Sequence, residues 1–245
     1  MIVHGWLEGF EKTNWVNETV EQLLKHRGGC VYFMDYSIYA NDWDYFRLVS
    51  QFERISAVLT KKFEHIGNFD RQYCFGFSFG ARLCVESGFA VGSVIESMDL
   101  CDPAGPGFNF FWRIRDPKLG AKNVGCINTS IDKGSRVYNC HQNFRMGRCG
   151  EWQPAAGPYP LGSHGLCPYI YNKAFDHEFV PINAYGCASN RPANISTSNV
   201  RMGYLGSYNR TFAQGDVFIA TAKYPPYLVI DNVIENLVQN TTETY

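Results

Sequence analysis

The stretch Gly76-Phe77-Ser78-Phe79-Gly80 constrains this chain more than any other; apolar Tyr73-Cys74-Phe75 precede it and Ala81 follows. It fits G-x-S-x-G, the pattern of a serine on a sharp turn from a strand into a helix. Glycine suits both flanks because a side chain there would crowd the adjoining strand or helix, and the serine backbone is held in an unfavourable dihedral region. Only three positions of the pattern are fixed, so a plain Gly-Ser turn is the competing reading. Small Gly80 and Ala81, where a helix must pack closely on a sheet, favour the elbow.

Strand and helix signals alternate around it. Residues 1–3 read as the end of a buried strand, followed by His4-Gly5-Trp6. A strand that ends in His-Gly-aromatic is a place where an amide can face a developing oxyanion. His4 reads as a turn histidine bonded to backbone, and the Trp6 amide as the group of interest. Apolar spacing predicts a helix over residues 14–26, stopped by Gly28-Gly29, and a long helix over 44–65 ended by Gly67. The apolar run 30–34 predicts a strand buried on both faces. The elbow helix runs to about residue 88, and a strand over 93–100 closes on Cys101-Asp102-Pro103. This alternation predicts βαβ units and one α/β domain with a mainly parallel sheet over residues 1–230. Further on, strands are expected at 122–129 and 216–222, a helix at 169–179, pinned loops over 140–168 and a polar tail at 231–245.

Composition excludes several functions. The net charge of −1, with no block of like charges, argues against a nucleic-acid partner. No apolar run reaches membrane-span length. His141 and His177 have no partners at metal spacing, so no metal and no cofactor is expected. The nine cysteines form no C-x-x-C pair, and their odd number leaves a thiol free or shared with another chain. With sequons at Asn17, Asn128, Asn194, Asn209 and Asn240 they point to a secreted, disulfide-bonded glycoprotein. The first residues lack the character of a signal peptide, so the chain reads as one that begins inside a domain.

Ser78, Asp102 and His164, the last within Gly162-Ser163-His164-Gly165, occur in the chain order of α/β-hydrolase triads. Ser78 would attack an acyl carbonyl, His164 would carry its proton, and Asp102 would orient the imidazole. The Phe79 and Trp6 amides would hold the oxyanion. Asp102 precedes Pro103 at a strand end, where open α/β sheets gather their chemistry; a simple turn aspartate is the alternative.

These segments also resemble the pancreatic lipase family of neutral lipases, particularly its arthropod members. The resemblance runs through Val3-His4-Gly5-Trp6, Phe33-Met34-Asp35-Tyr36-Ser37, the elbow and Asp102-Pro103-Ala104-Gly105-Pro106. It continues through Cys140-His141-Gln142-Asn143-Phe144, Gln153-Pro154-Ala155, Gly162-Ser163-His164, Met202-Gly203 and Lys223-Tyr224-Pro225-Pro226-Tyr227. It implies a secreted α/β hydrolase that cleaves carboxylic esters of lipids at an interface or membrane surface, with Ser78, Asp102 and His164 as its triad. Phospholipase A1 and a catalytically silent lipid-binding or yolk-type protein are the other members of that range; no protein partner is specified. The resemblance also implies a lid, expected at residues 151–161 and including Glu151, Trp152, Gln153 and Pro154, as a mobile flap or a tight surface loop. Where the family often has a cysteine before the catalytic histidine, this chain has Gly162 and Ser163; Cys149 and Cys167 stand on either side of the histidine loop, and sequence does not fix their pairing. Phe77 and Phe79 depart from the His and Leu common at the elbow, and Gly120 stands where the family's calcium loop has a carboxylate, so no calcium site is expected.

Overall fold

The computed structural model describes residues 1–66, 71–92, 94–109, 115–135, 139–158, 162–182, 186–194, 200–207 and 213–229. The expected polar tail, the start of the 93–100 strand, the helix stop at Gly67, the end of the expected lid and the sequons at Asn209 and Asn240 lie outside them.

Eight strands form one sheet: β1 Ile2–Val3, β2 Phe33–Met34, β3 Tyr73–Phe77, β4 Ser97–Cys101, β5 Asn123–Asn128, β6 Gln142–Met146, β7 Pro181–Ile182 and β8 Gly215–Ile219. Their order is β2-β1-β3-β4-β5-β6-β8-β7. Every neighbouring pair is parallel except β7 with β8. This is the mainly parallel α/β-hydrolase fold that the alternation and the elbow predict.

Period-two alternation sorts the central strands between two cores. Cys74, Met98, Leu100, Val124 and Cys126 join a core with α2 Ser37–Ala40, α3 Tyr45–Ser50, α4 Phe52–Ile66 and α5 Phe79–Ala90. Tyr73, Phe75, Phe77, Cys101, Ile127 and Phe144 join the other with α1 Asn14–His26 and α7 Cys167–Lys173. Helices on both faces explain why the central strands are buried throughout.

Three expectations are corrected. The run 30–34 yields only β2, half-buried at the sheet's edge with β1 as its neighbour. The long helix over 44–65 is two helices, broken at Gln51 (φ −92°, ψ 1°); Asp44 caps the first by accepting the amides of Phe46 and Arg47. Within the expected loops lies a full strand, β6. Its polar residues are paired: buried Gln142 with Asn123, buried Asn143 with Asp216, and half-buried Arg145 with Asn128.

Four disulfides join Cys74 to Cys84, Cys101 to Cys167, Cys126 to Cys140 and Cys149 to Cys187, leaving Cys30 free. Cys149 and Cys167, whose pairing the sequence leaves open, each bond a cysteine elsewhere in the fold.

Candidate active site

β3 ends at Phe77 and α5 begins at Phe79, so Ser78 alone makes the turn, at φ 56° and ψ −117°. A residue held in so sparsely populated a region costs roughly 1–3 kcal/mol, which neighbours must offset. Here the Ser78 amide donates to Cys101 O at 2.9 Å, and Ser78 O accepts from the Ala104 amide at 3.1 Å. The flanking glycines are sterically required. A Cβ on Gly76 would lie 2.6 Å from Ala81 Cα, and one on Gly80 only 2.3 Å from Val3 O.

His164 lies on α6, Gly162–Gly165. Its Nε2 is 2.7 Å from Ser78 Oγ, and its Nδ1 is 2.6 Å from Asp102 Oδ2. All three residues are buried. An ionised carboxylate only accepts, so Nδ1 carries the ring proton toward Asp102 and Nε2 accepts from the Ser78 hydroxyl.

Asp102 stands one residue beyond β4 with φ 40°. Its Oδ1 accepts the amides of Thr129 (2.9 Å) and Ser130 (3.2 Å), and its Oδ2 accepts the Ser130 hydroxyl (2.5 Å) as well as His164. Ser130 in turn accepts the Gly134 amide at 3.0 Å. Thr129 and Ser130 escaped the sequence reading, because the loop after β5 becomes a neighbour of Asp102 only through the β4–β5 pairing.

The turn after β1 lies against the serine: a Cβ on Gly5 would be 3.1 Å from Ser78 Cβ. Among the described residues the amides of Trp6 and Phe79 donate no hydrogen bond. Trp6 is fixed by its indole, which donates to Asp42 O at 2.6 Å and meets Tyr45 edge-on. His4 is wholly buried, stacks on Tyr36 and bonds Gly5 O and the Tyr36 amide, in keeping with the backbone role read for it. Burial lowers its pKa to about 4, so it is neutral.

Residues 151–154 make a tight turn, with the Arg148 amide bonded to Trp152 O. Gln153 is fully buried; its side chain bonds Thr129 O, Met146 O and the Thr221 hydroxyl, and its amide bonds Ser163 Oγ beside His164. Trp152 is half exposed. Glu151 and Pro154 complete the turn, the Glu151 amide donating to Arg148 O at 2.8 Å.

No group of three metal-binding side chains occurs among the described residues, and no helix there is long and apolar enough to cross a membrane. A cavity of about 390 Å³ lies at the other end of β3, lined by Met1, Cys30 and Tyr73, away from Ser78. Of the sequons, Asn17 and Asn194 are exposed. Asn128 is buried within β5 and bonded to Ser135 O and Arg145, so it is no glycan acceptor in the folded chain.

No family model matches the chain. It is 27% identical over 202 residues to Lipase member H of Danio rerio, a match covering 77% of this chain and 44% of that protein. The chain thus spans less than half the length of this curated relative.

Proposed function

We propose that the chain is a serine hydrolase that cleaves carboxylic esters of lipids, a triacylglycerol-type lipase. One observation carries the reading: a strained serine has its hydroxyl 2.7 Å from an imidazole whose other nitrogen is 2.6 Å from a buried carboxylate. The likeness to Lipase member H supports it.

In this reading Ser78 Oγ attacks the ester carbonyl carbon while its proton passes to His164 Nε2. The carbonyl oxygen becomes an oxyanion held by the Phe79 and Trp6 amides; a single such donor is worth about 3–4 kcal/mol in the transition state. His164 then protonates the departing alcohol oxygen, leaving an acyl ester on Ser78. Water, deprotonated by His164, attacks that ester and releases the carboxylic acid, and the proton returns to Ser78. Asp102 stabilises the imidazolium in both halves.

Exposed apolar side chains flank this machinery. Trp43 and Phe46 are 80% and 66% exposed beside the segment that binds Trp6, while Ile131 and Trp152 are exposed beside Ser130 and Gln153. Such a rim suits a lipid surface as the substrate's carrier. Residues 1–230 form the catalytic unit, with 231–245 as a polar tail, and the four disulfides fit a secreted site of action with glycosylation at Asn17. Residues 151–154 act as a fixed rim. That short, pinned turn favours phospholipase A1 as the second reading, since short lids accompany that activity in the pancreatic lipase family; triacylglycerol and phospholipid assays separate the two.

Labelling of the folded chain with a fluorophosphonate tests the proposal, with peptide mapping and Ser78→Ala as control. Labelling at Ser78, lost in the variant, is the expected result. A folded chain that takes no label is the catalytically silent alternative.

A further inference from the structure

The turn that leaves β1 carries a carboxyl group that the triad does not use. Glu8 Oε2 accepts the Gly5 amide at 2.7 Å, and Oε1 accepts the Trp15 indole N–H at 2.9 Å. A Cβ built on Gly5 would lie 3.1 Å from Glu8 Oε2 and 3.1 Å from Ser78 Cβ. The Gly5 backbone is therefore clasped between the Glu8 carboxyl and the carbon that bears the nucleophile. Trp15 is buried and meets Phe75 and Phe77 of β3 edge-on, and the Phe77 ring centre is 4.9 Å from that of His164. Glu8 thus ties the middle of the turn to the strand that ends at Ser78.

The remainder of the turn is anchored from the other side. Tyr36 donates its hydroxyl to His4 O, the Leu7 amide donates to Ala40 O at 2.9 Å, and the Trp6 indole to Asp42 O. Leu7 holds φ 60°, an uncommon conformation for a residue with a branched side chain, which persists only where surroundings impose it. Two N–H donors aimed at two oxygens suit a carboxylate better than any neutral side chain of the same size. Burial raises the Glu8 pKa to about 7, against the Trp15 and Gly5 hydrogen bonds and the nearby His164, which act to lower it.

We propose that Glu8 is a positioning residue for ester hydrolysis: it holds the turn 4–8 so that the Trp6 amide faces the oxyanion formed at Ser78. This rests on the serine-hydrolase reading above. Without the carboxylate, the Gly5 amide loses its partner beside the nucleophile and the turn relaxes away from the reacting carbonyl.

The test uses the full chain, Glu8→Gln and Glu8→Ala, with p-nitrophenyl butyrate and its thiono counterpart, in which sulfur replaces the carbonyl oxygen. Sulfur is a poor hydrogen-bond acceptor, so an aligned oxyanion donor favours the oxygen ester. Glu8→Gln sets an amide N–H₂ against one of the two donors and is expected to lower kcat on the oxygen ester about tenfold. Glu8→Ala is expected to lower it about a hundredfold, the scale of a lost oxyanion donor. KM should change less than about twofold, and the preference for oxygen over sulfur should shrink. Folded variants with unchanged kcat and preference overturn the proposal, as do equal losses on both substrates, which assign Glu8 to fold maintenance. If Glu8→Ala does not fold, isosteric Glu8→Gln decides. Wild-type labelling at Ser78 alongside unaffected Glu8 variants sinks this inference alone; hydrolysis by Ser78→Ala at the wild-type rate removes the underlying reading and this one with it.

Discussion

Asp99 and Asp102 lie three residues apart on one chain segment, yet serve opposite ends of the fold's chemistry. Asp99 Oδ2 accepts the Tyr73 hydroxyl at 2.5 Å, inside a cluster that includes Tyr171, whereas Asp102 Oδ2 meets His164 at 2.6 Å. The difference follows from the strand's end: Asp99 is still in the ladder, opposite Phe75 and Gly125, while Asp102 has left it. Asp102→Asn is expected to lower kcat by about 10⁴, because the imidazole loses its tautomer and its counter-charge. Asp99→Asn should keep most activity and cost about 1–3 kcal/mol of stability through the Tyr73 bond. Steady-state kinetics beside urea unfolding checks both, and a larger kinetic loss from Asp99→Asn would reverse the assignment.

Ser130 gives Asp102 a hydroxyl-to-carboxylate hydrogen bond beside the one from its amide. Hydrogen bonds to charged groups contribute about 1.5–3 kcal/mol. Ser130→Ala is expected to cut kcat at least about tenfold with KM little changed. An undiminished kcat would show that the Thr129 and Ser130 amides suffice to orient the carboxylate.

The Cys101–Cys167 disulfide joins the residue before Asp102 to the start of α7, just after His164. It closes a loop of sequence separation 66, for which chain entropy predicts about 4 kcal/mol of stabilisation. Replacing both cysteines by alanine should lower Tm by about 10 °C and reduce activity below the transition, since the segments that carry Asp102 and His164 lose their cross-link. A melting curve that does not move would contradict this.

His4 makes stability fall on acidification. Its pKa is about 4 when folded, through burial, against an ordinary 6.5. Between these values the unfolded chain binds a proton that the folded chain refuses, so stability drops as pH falls, by at most about 1.4 kcal/mol per pH unit. Glu8 has the opposite sign: raised to about 7 from 4.5, it takes its proton first in the folded chain, so its contribution grows as pH falls. In urea unfolding at pH 7 and pH 5, His4→Gln should lose less stability than wild type between the two, and Glu8→Gln should lose more. Identical differences in all three chains would refute both assignments.

The local requirements were legible in the residues themselves. A helix over 14–26 follows from apolar spacing and two glycines, and the structure has it at the same bounds. The elbow follows because only glycine tolerates backbone at 2.3–2.6 Å, a constraint written into five consecutive residues. Ser78, Asp102 and His164 stood in order in the sequence, although their meeting depends on where three segments end.

Tertiary structure decided what depends on partners distant along the chain. β6 reads as loop because its segment is dense in Gly, Pro and Cys without periodicity; Gln142 and Asn143 are buried only because Asn123 and Asp216 are there to pair with them, and half-buried Arg145 pairs with Asn128. The disulfide partners, the Ser130 hydroxyl on Asp102 and the Glu8 carboxyl behind Gly5 are likewise products of strand order and register. A sequence states what each residue requires of its immediate backbone. Which polar group satisfies which is settled only when the sheet assembles, since an unpaired buried donor costs more than any local propensity supplies.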